Sequence, residues 1–106
     1  MFAARDDARA VAMFPGVTRR TLSSGERTTL VEITLSRGAV VPEHTHPHEQ
    51  VGYVVSGRIR CRIGDETREL RAGDSYLAPG GVPHVVEALE DAVCVDIFSP
   101  VREEFL

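Results

Sequence analysis

The chain has 106 residues, 42% of them hydrophobic and 26% charged, with a formal net charge of −4. This composition is that of a globular protein, far from the disordered regime, and a chain this short buries roughly 60 to 65% of its unfolded surface, enough for one core. The acidic balance and the lack of a basic stripe argue against nucleic acid and against an anionic membrane surface as partners.

The opening segment, MFAARDDARAVAMFPG, places Asp6, Asp7 and Arg9 where a secretory leader needs an uninterrupted apolar core, and no later run is long enough to span a bilayer. A cytoplasmic location is therefore expected. Residues 1–16 read as an N-terminal arm, with one helical turn near Asp6 to Ala12 for which Asp6 could serve as the N-cap. Strand signals then recur over Val17 to Leu22, Thr28 to Leu35, Val51 to Val55, Arg58 to Ile63, Thr67 to Leu70, Ser75 to Leu77, His84 to Glu87 and Ala92 to Phe98. Each is short, rich in Val, Ile, Thr, Leu or Tyr, and bounded by Gly, Pro, Asp or Ser. The breaks carry turn chemistry, as at Ser36-Arg37-Gly38, Ser56-Gly57, Gly64-Asp65, Ala72-Gly73-Asp74 and Pro79-Gly80-Gly81. The pattern is all-β and unrepeated, which predicts one domain over residues 1–106 with 99–106 as a C-terminal tail. Cys61 and Cys94 fall inside strand segments and are expected as reduced thiols packed like small apolar residues, not as a zinc pair or a redox CxxC.

All four histidines fall in two places: His44, His46 and His48 in PEHTHPHEQ, and His84 in PGGVPHVVE. In an extended segment alternate residues share a face, so His44, His46 and Gln50 are expected to point one way, with Glu43, Thr45 and Glu49 pointing the other. Two imidazoles at i and i+2 are a metal-chelate signal, and a third histidine from a distant strand completes a facial cap.

The spacing extends beyond the histidines. Gly38 to Gly57 reads G-x5-H-x-H-x3-Q-x6-G, and Gly73 to His84 reads G-x5-P-x-G-x2-H. Over essentially its whole length the chain resembles the cupin superfamily, whose two motifs are G-x5-H-x-H-x3,4-E-x6-G and G-x5-P-x-G-x2-H-x3-N. The resemblance implies a double-stranded β-helix, or jelly-roll barrel, holding one divalent metal ion through His44, His46, Gln50 and His84. Two positions depart from the pattern: Gln50 stands where the superfamily usually has Glu, and Ala88 where the second motif often has Asn. A neutral amide leaves a dication less compensated than a carboxylate would, which favours Lewis-acid chemistry over oxygen chemistry. His48 is no ligand in the resembled pattern and is expected to line the cavity or turn outward after Pro47, while Glu49 is expected to be solvated or to face a second subunit.

HTHPHEQVGYVVSG and the ending VDIFSPVREEFL are similar to the small single-domain cupins of pectin and alginate degradation that ketonise 4,5-unsaturated uronates. That likeness implies a three-His, one-Gln ligand set and a functional D-x-F-x3-R arrangement, matched here by Asp96, Phe98 and Arg102. Asp96 and Phe98 share strand parity, so both can face the barrel interior. A carboxylate there is expected to have a raised pKa and to move protons, with Phe98 as the apolar wall and Arg102 reaching over the mouth to a substrate carboxylate. Tyr53 is a minor candidate of undecided orientation.

The cupin fold hosts many activities. Beside the ketonising reading stand an iron-dependent dioxygenase acting on a small organic acid or thiol, which the Gln disfavours, and a non-catalytic metal-assisted sugar or signal-molecule binder. The ligand set accepts Zn, Ni, Fe, Mn or Cu. The expected partners are an unsaturated monouronate and, by resemblance, a second copy of the chain, since a small barrel with exposed edge strands gains by pairing them.

Overall fold

A computed structural model describes residues 1–106, and nearly all of its regular structure is β. The strands are β1 (Val11–Phe14), β2 (Val17–Ser24), β3 (Thr29–Leu35), β4 (Val40–His44), β5 (Glu49–Ser56), β6 (Arg58–Ile63), β7 (Glu66–Arg71), β8 (Ser75–Ala78), β9 (His84–Ala88) and β10 (Ala92–Ser99). They form two antiparallel sheets, one of six strands in the order β1-β2-β3-β10-β5-β8 and one of four in the order β4-β9-β6-β7. Period-2 burial places the site. On β3, Thr29, Val31, Ile33 and Leu35 point inward, and on β10, Ala92, Cys94, Asp96 and Phe98 do. The same alternation turns Gln50, Gly52 and Val54 of β5 inward, and the inner faces of the two sheets meet over a core that includes Val17, Val31, Leu35, Val54, Ile59 and Phe98.

All eight expected strands are present. Two more were not expected, and both are explained by pairing. The first lies in the N-terminal arm, where a helical turn capped by Asp6 was the expectation. Instead a 3-10 turn at Arg5–Asp7, with Ala4 at its N-cap and no side-chain cap, leads into β1. Short isolated helices are marginal in water, whereas Val11 and Ala12 pair with Arg19 and Thr18 at the edge of a preformed sheet. The second, β4, is interrupted by Pro42 and borders the four-stranded sheet, a place where a residue without an N–H is tolerated.

Two glycines fix the close approaches. Gly57 joins β5 to β6 at φ +81°, and a Cβ there would lie 2.1 Å from the Asp91 carbonyl oxygen. Gly52 lies within β5 in register with Tyr76 on β8, and a Cβ on it would lie 2.0 Å from the Tyr76 ring. The C-terminal tail folds back as a 3-10 turn, Glu103–Phe105, that inserts Phe105 into the core. There the Phe105 ring meets Phe98 edge to face at 5.6 Å, and its carbonyl accepts hydrogen bonds from Arg19 (3.1 Å) and from the Thr21 hydroxyl. Cys61 and Cys94 are buried and free. No helix is long and apolar enough to cross a membrane.

Candidate metal centre

His44, His46 and Gln50 do not share one strand, as alternation had implied. His44 ends β4 in one sheet, Gln50 is the second residue of β5 in the other, and residues 45–48 carry the chain between the two strands. Pro47 suits an irregular crossing, and the side chains converge because the two sheets close on each other. His84 starts β9 directly opposite His44, its register partner.

One ring nitrogen from each of His44, His46 and His84 lies within 4.8 Å of those of the other two. Their orientation is set by the backbone. The Nδ1 atoms of His44, His46 and His84 lie 2.9, 3.0 and 3.0 Å from the carbonyl oxygens of Pro42, His48 and Val82. A carbonyl can only accept, so each Nδ1 carries the proton and each Nε2 presents a bare lone pair. Burial is the main cause holding His46 down to about pKa 4, reinforced by the charges of Arg102 and His84, and burial likewise lowers His84. Nε2 of His84 is buried with no hydrogen-bond partner, and Nε2 of His46 faces Oε1 of Gln50 at 3.1 Å. Lone pairs gathered on one point repel unless a cation lies between them, so the donor set fits a divalent metal ion, with the Nδ1–carbonyl bonds as the orienting outer contacts such ligands require.

Next to this cluster lies a cavity open to solvent at its mouth, whose walls include His44, Gln50, His84, Asp96, Phe98 and Arg102. Asp96 is 6% exposed. Burial pushes its carboxyl up to about 6, against the opposing hydrogen bonds of Tyr76 and Gln50 and the charge of Arg102. The Tyr76 hydroxyl donates to Oδ1 of Asp96, and burial first, then Asp96, raises its own pKa well above 10, so it remains a donor. Tyr76 escaped the sequence reading. The signal for it was the glycine at position 52, since a glycine inside a strand marks a place where another group comes close.

Arg102 is largely buried, its side chain 12% exposed. The guanidinium stacks 4.7 Å from the Phe98 ring centroid and 4.0 Å from that of Phe105. Its Nε donates to Glu104 at 2.7 Å, which holds the planar group in place and leaves the two terminal nitrogens for other acceptors. Phe98 is thus both core and platform. His48 contributes its carbonyl, which holds His46, while its ring stands outside the cluster of three. Glu49 is exposed, and Tyr53, half exposed on the outer face of β5, is removed from the candidates.

The cupin domain, Cupin_2, matches residues 31–98. The chain is 34% identical over 93 residues to the pectin degradation protein KdgF of Dickeya dadantii, covering 86% of this chain and 84% of that protein. Among solved structures, KdgF from Halomonas sp. is 33% identical and superposes with a TM-score of 0.94, covering 100% of this chain and 98% of the other. An RmlC-like cupin from Shewanella frigidimarina reaches the same TM-score at 30% identity, covering 99% of this chain and 95% of its own. Motif spacing, two-sheet barrel and histidine cluster agree with these matches: the chain belongs to the cupin family.

Proposed function

We propose that the protein is a metal-dependent enzyme that ketonises 4,5-unsaturated uronates, products of pectin or alginate breakdown, to linear 5-keto-4-deoxyuronates. The observation that carries this reading is the placement of a buried carboxylic acid, Asp96, beside the histidine cluster and in the same cavity as a guanidinium with two uncommitted nitrogens. The likeness to proteins named for pectin degradation supports it. A dication held by His44, His46, His84 and the Gln50 amide oxygen would supply Lewis acidity toward substrate oxygens and stabilise enolate charge.

The chain's own groups account for binding and proton movement. Arg102 pairs with the substrate carboxylate through its terminal nitrogens. Asp96 takes the proton of the anomeric hydroxyl as the bond from C1 to the ring oxygen breaks, giving an aldehyde at C1 and an enolate at C5. It returns the proton at C4, leaving the 5-ketone, so the reaction is an isomerisation that needs no oxidant. A carboxyl poised near pH 6 can both accept and donate. Tyr76 and the Gln50 amide hold that carboxyl in place, and Phe98 and Phe105 keep the Arg102 platform dry.

The test is the decay of the ultraviolet band of 4,5-unsaturated galacturonate with metal-loaded protein, metal-stripped protein and Asp96→Asn, each against the uncatalysed background. Acceleration that needs metal and disappears in Asp96→Asn is expected. Decay at the background rate with loaded protein sinks the reading, and oxygen consumption or binding without turnover would then point to a dioxygenase or a binding module.

A further inference from the structure

The segment that carries Arg102 belongs to neither sheet. The chain leaves β10 at Ser99 and folds back over the barrel with one 3-10 turn, Glu103–Phe105, as its only regular structure. A single turn has little stability of its own, so what fixes the guanidinium lies outside it. Two attachments do this, one at each end of the turn, and both come from β2 and β3. At the start, the backbone N–H of Arg102 donates to Oγ1 of Thr29 at 3.0 Å. Thr29 is 0% exposed, stands in register with Phe98 on one side and Ser24 on the other, and its hydroxyl lies 3.0 Å from that of Ser24. At the end, the Phe105 carbonyl accepts hydrogen bonds from Arg19 (3.1 Å) and from the Thr21 hydroxyl, and the Arg19 guanidinium lies 4.5 Å from the Phe105 ring centroid. The same ring supports Arg102 at 4.0 Å.

We infer that Thr29 and Arg19 are positioning residues that seat the Arg102 guanidinium for its ligand, an inference that rests on the reading of Arg102 as the group that binds the uronate carboxylate. Each residue is otherwise costly where it stands. Thr29 occupies a fully buried strand position that valine would fill with the same shape, and its hydroxyl serves only the Arg102 N–H and Ser24. Arg19 is a part-buried cation with no ion pair, an unpartnered buried Nε, and the charges of Arg9 and Arg102 against it. Its contacts with Phe105 are what it contributes in return. Pre-organisation makes such a seat useful: a fork that must meet a carboxylate with two parallel hydrogen bonds binds best when its rotamers are already restricted. Glu104 and the Phe105 ring orient the guanidinium, but both ride on the tail and hold it only as firmly as the tail is held. Because the carboxylate is bound alike before and during the reaction, a loosened seat should raise KM and leave kcat in place.

Steady-state kinetics of the metal-loaded protein on 4,5-unsaturated galacturonate compares the parent with Thr29→Val, Thr29→Ser and Arg19→Met. Thr29→Val and Arg19→Met are each expected to raise KM by about tenfold, the effect of stranding or releasing one buried hydrogen-bonding group, with kcat within about twofold of the parent. Thr29→Ser, which keeps the oxygen, is expected to restore the parent KM. A merely structural role would instead lower kcat, through loss of folded protein, at an unchanged KM. The second readout needs no turnover. In a nitrogen–proton correlation spectrum the Nε–Hε resonance of Arg102, identified by its absence from Arg102→Lys, is expected to be sharp in the parent, where Nε donates to Glu104. It is expected to be lost to exchange with water in Thr29→Val and Arg19→Met. Should one variant not fold, the other carries both readouts. A resonance that stays sharp in the folded variants overturns the inference, as does a KM that stays at the parent value. A parent without turnover overturns the uronate reading instead, and the resonance then decides the seat by itself.

Discussion

Tyr76→Phe removes a single hydroxyl, and the structure gives the direction and the pH dependence of its effect. The hydroxyl donates to a carboxyl buried at 6% exposure, and a hydrogen bond to a charged buried group is worth roughly 1.5 to 3 kcal/mol. In the metal-free protein the Asp96 carboxyl titrates near 6 against an ordinary 3.8. Its folded value is raised, so its stabilising contribution is complete below pH 3.8 and is lost as the pH climbs through 6. Because the Tyr76 bond holds that value down, the variant titrates higher still and goes on losing stability at pH values where the parent has levelled off. Urea denaturation of stripped protein should therefore show Tyr76→Phe costing about 1.5 to 3 kcal/mol at pH 8, where the carboxyl is ionised, and only about 0.5 to 1.5 kcal/mol at pH 5, where it is mostly protonated. A cost that is the same at both pH values would refute the reasoning, because it would mean that the hydroxyl does not bear on the charged carboxylate.

Three further outcomes follow from other parts of the molecule. Zinc or nickel at about a hundred times its dissociation constant should stabilise the native state by about 2.7 kcal/mol, or roughly 10 to 20 °C in Tm for a chain of this size; His46→Ala and His84→Ala should lose that shift in calorimetry and His48→Ala should keep it. Burial pushes the Cys61 thiol up to about 11 and that of Cys94 up to about 12 from an ordinary 9.0, so neither should react with Ellman's reagent at pH 8 until the protein unfolds. Their contribution to stability is present below pH 9 and lost as the pH rises toward 12, which a denaturation series in alkaline buffer would read. Gly52→Ala places a Cβ 2.0 Å from the partly buried Tyr76 ring and should cost roughly 1 to 3 kcal/mol by overpacking, whereas Gly25→Ala, with nothing within 4 Å, should leave the stability within about 0.5 kcal/mol of the parent.

Local chemistry was legible where it depends on neighbours along the chain. Alternation identified the inward faces of β3 and β10, and with them Asp96 and Phe98, because a strand's side-chain period is set by its own backbone. The histidine spacing identified the cluster for a different reason than alternation suggested: His44 and Gln50 belong to different sheets, and the motif succeeds because its loop has the right length to bring them together. The weak strands β1 and β4 were not legible, since they exist only as edges on sheets that the rest of the chain builds.

From its sequence alone this protein could be read as an all-β cupin with three convergent histidines and an inward acid, since turn residues, strand period and motif spacing are local properties. Tertiary structure decided what lies across from what. It set Tyr76 against Asp96 over a glycine, turned the lone pairs of the histidines inward through backbone carbonyls, and stacked Arg102 between two phenylalanines. It also left one sheet face apolar and the other covered in ion pairs. Each of these joins residues far apart in the chain, and their distance and burial are fixed only when the two sheets close.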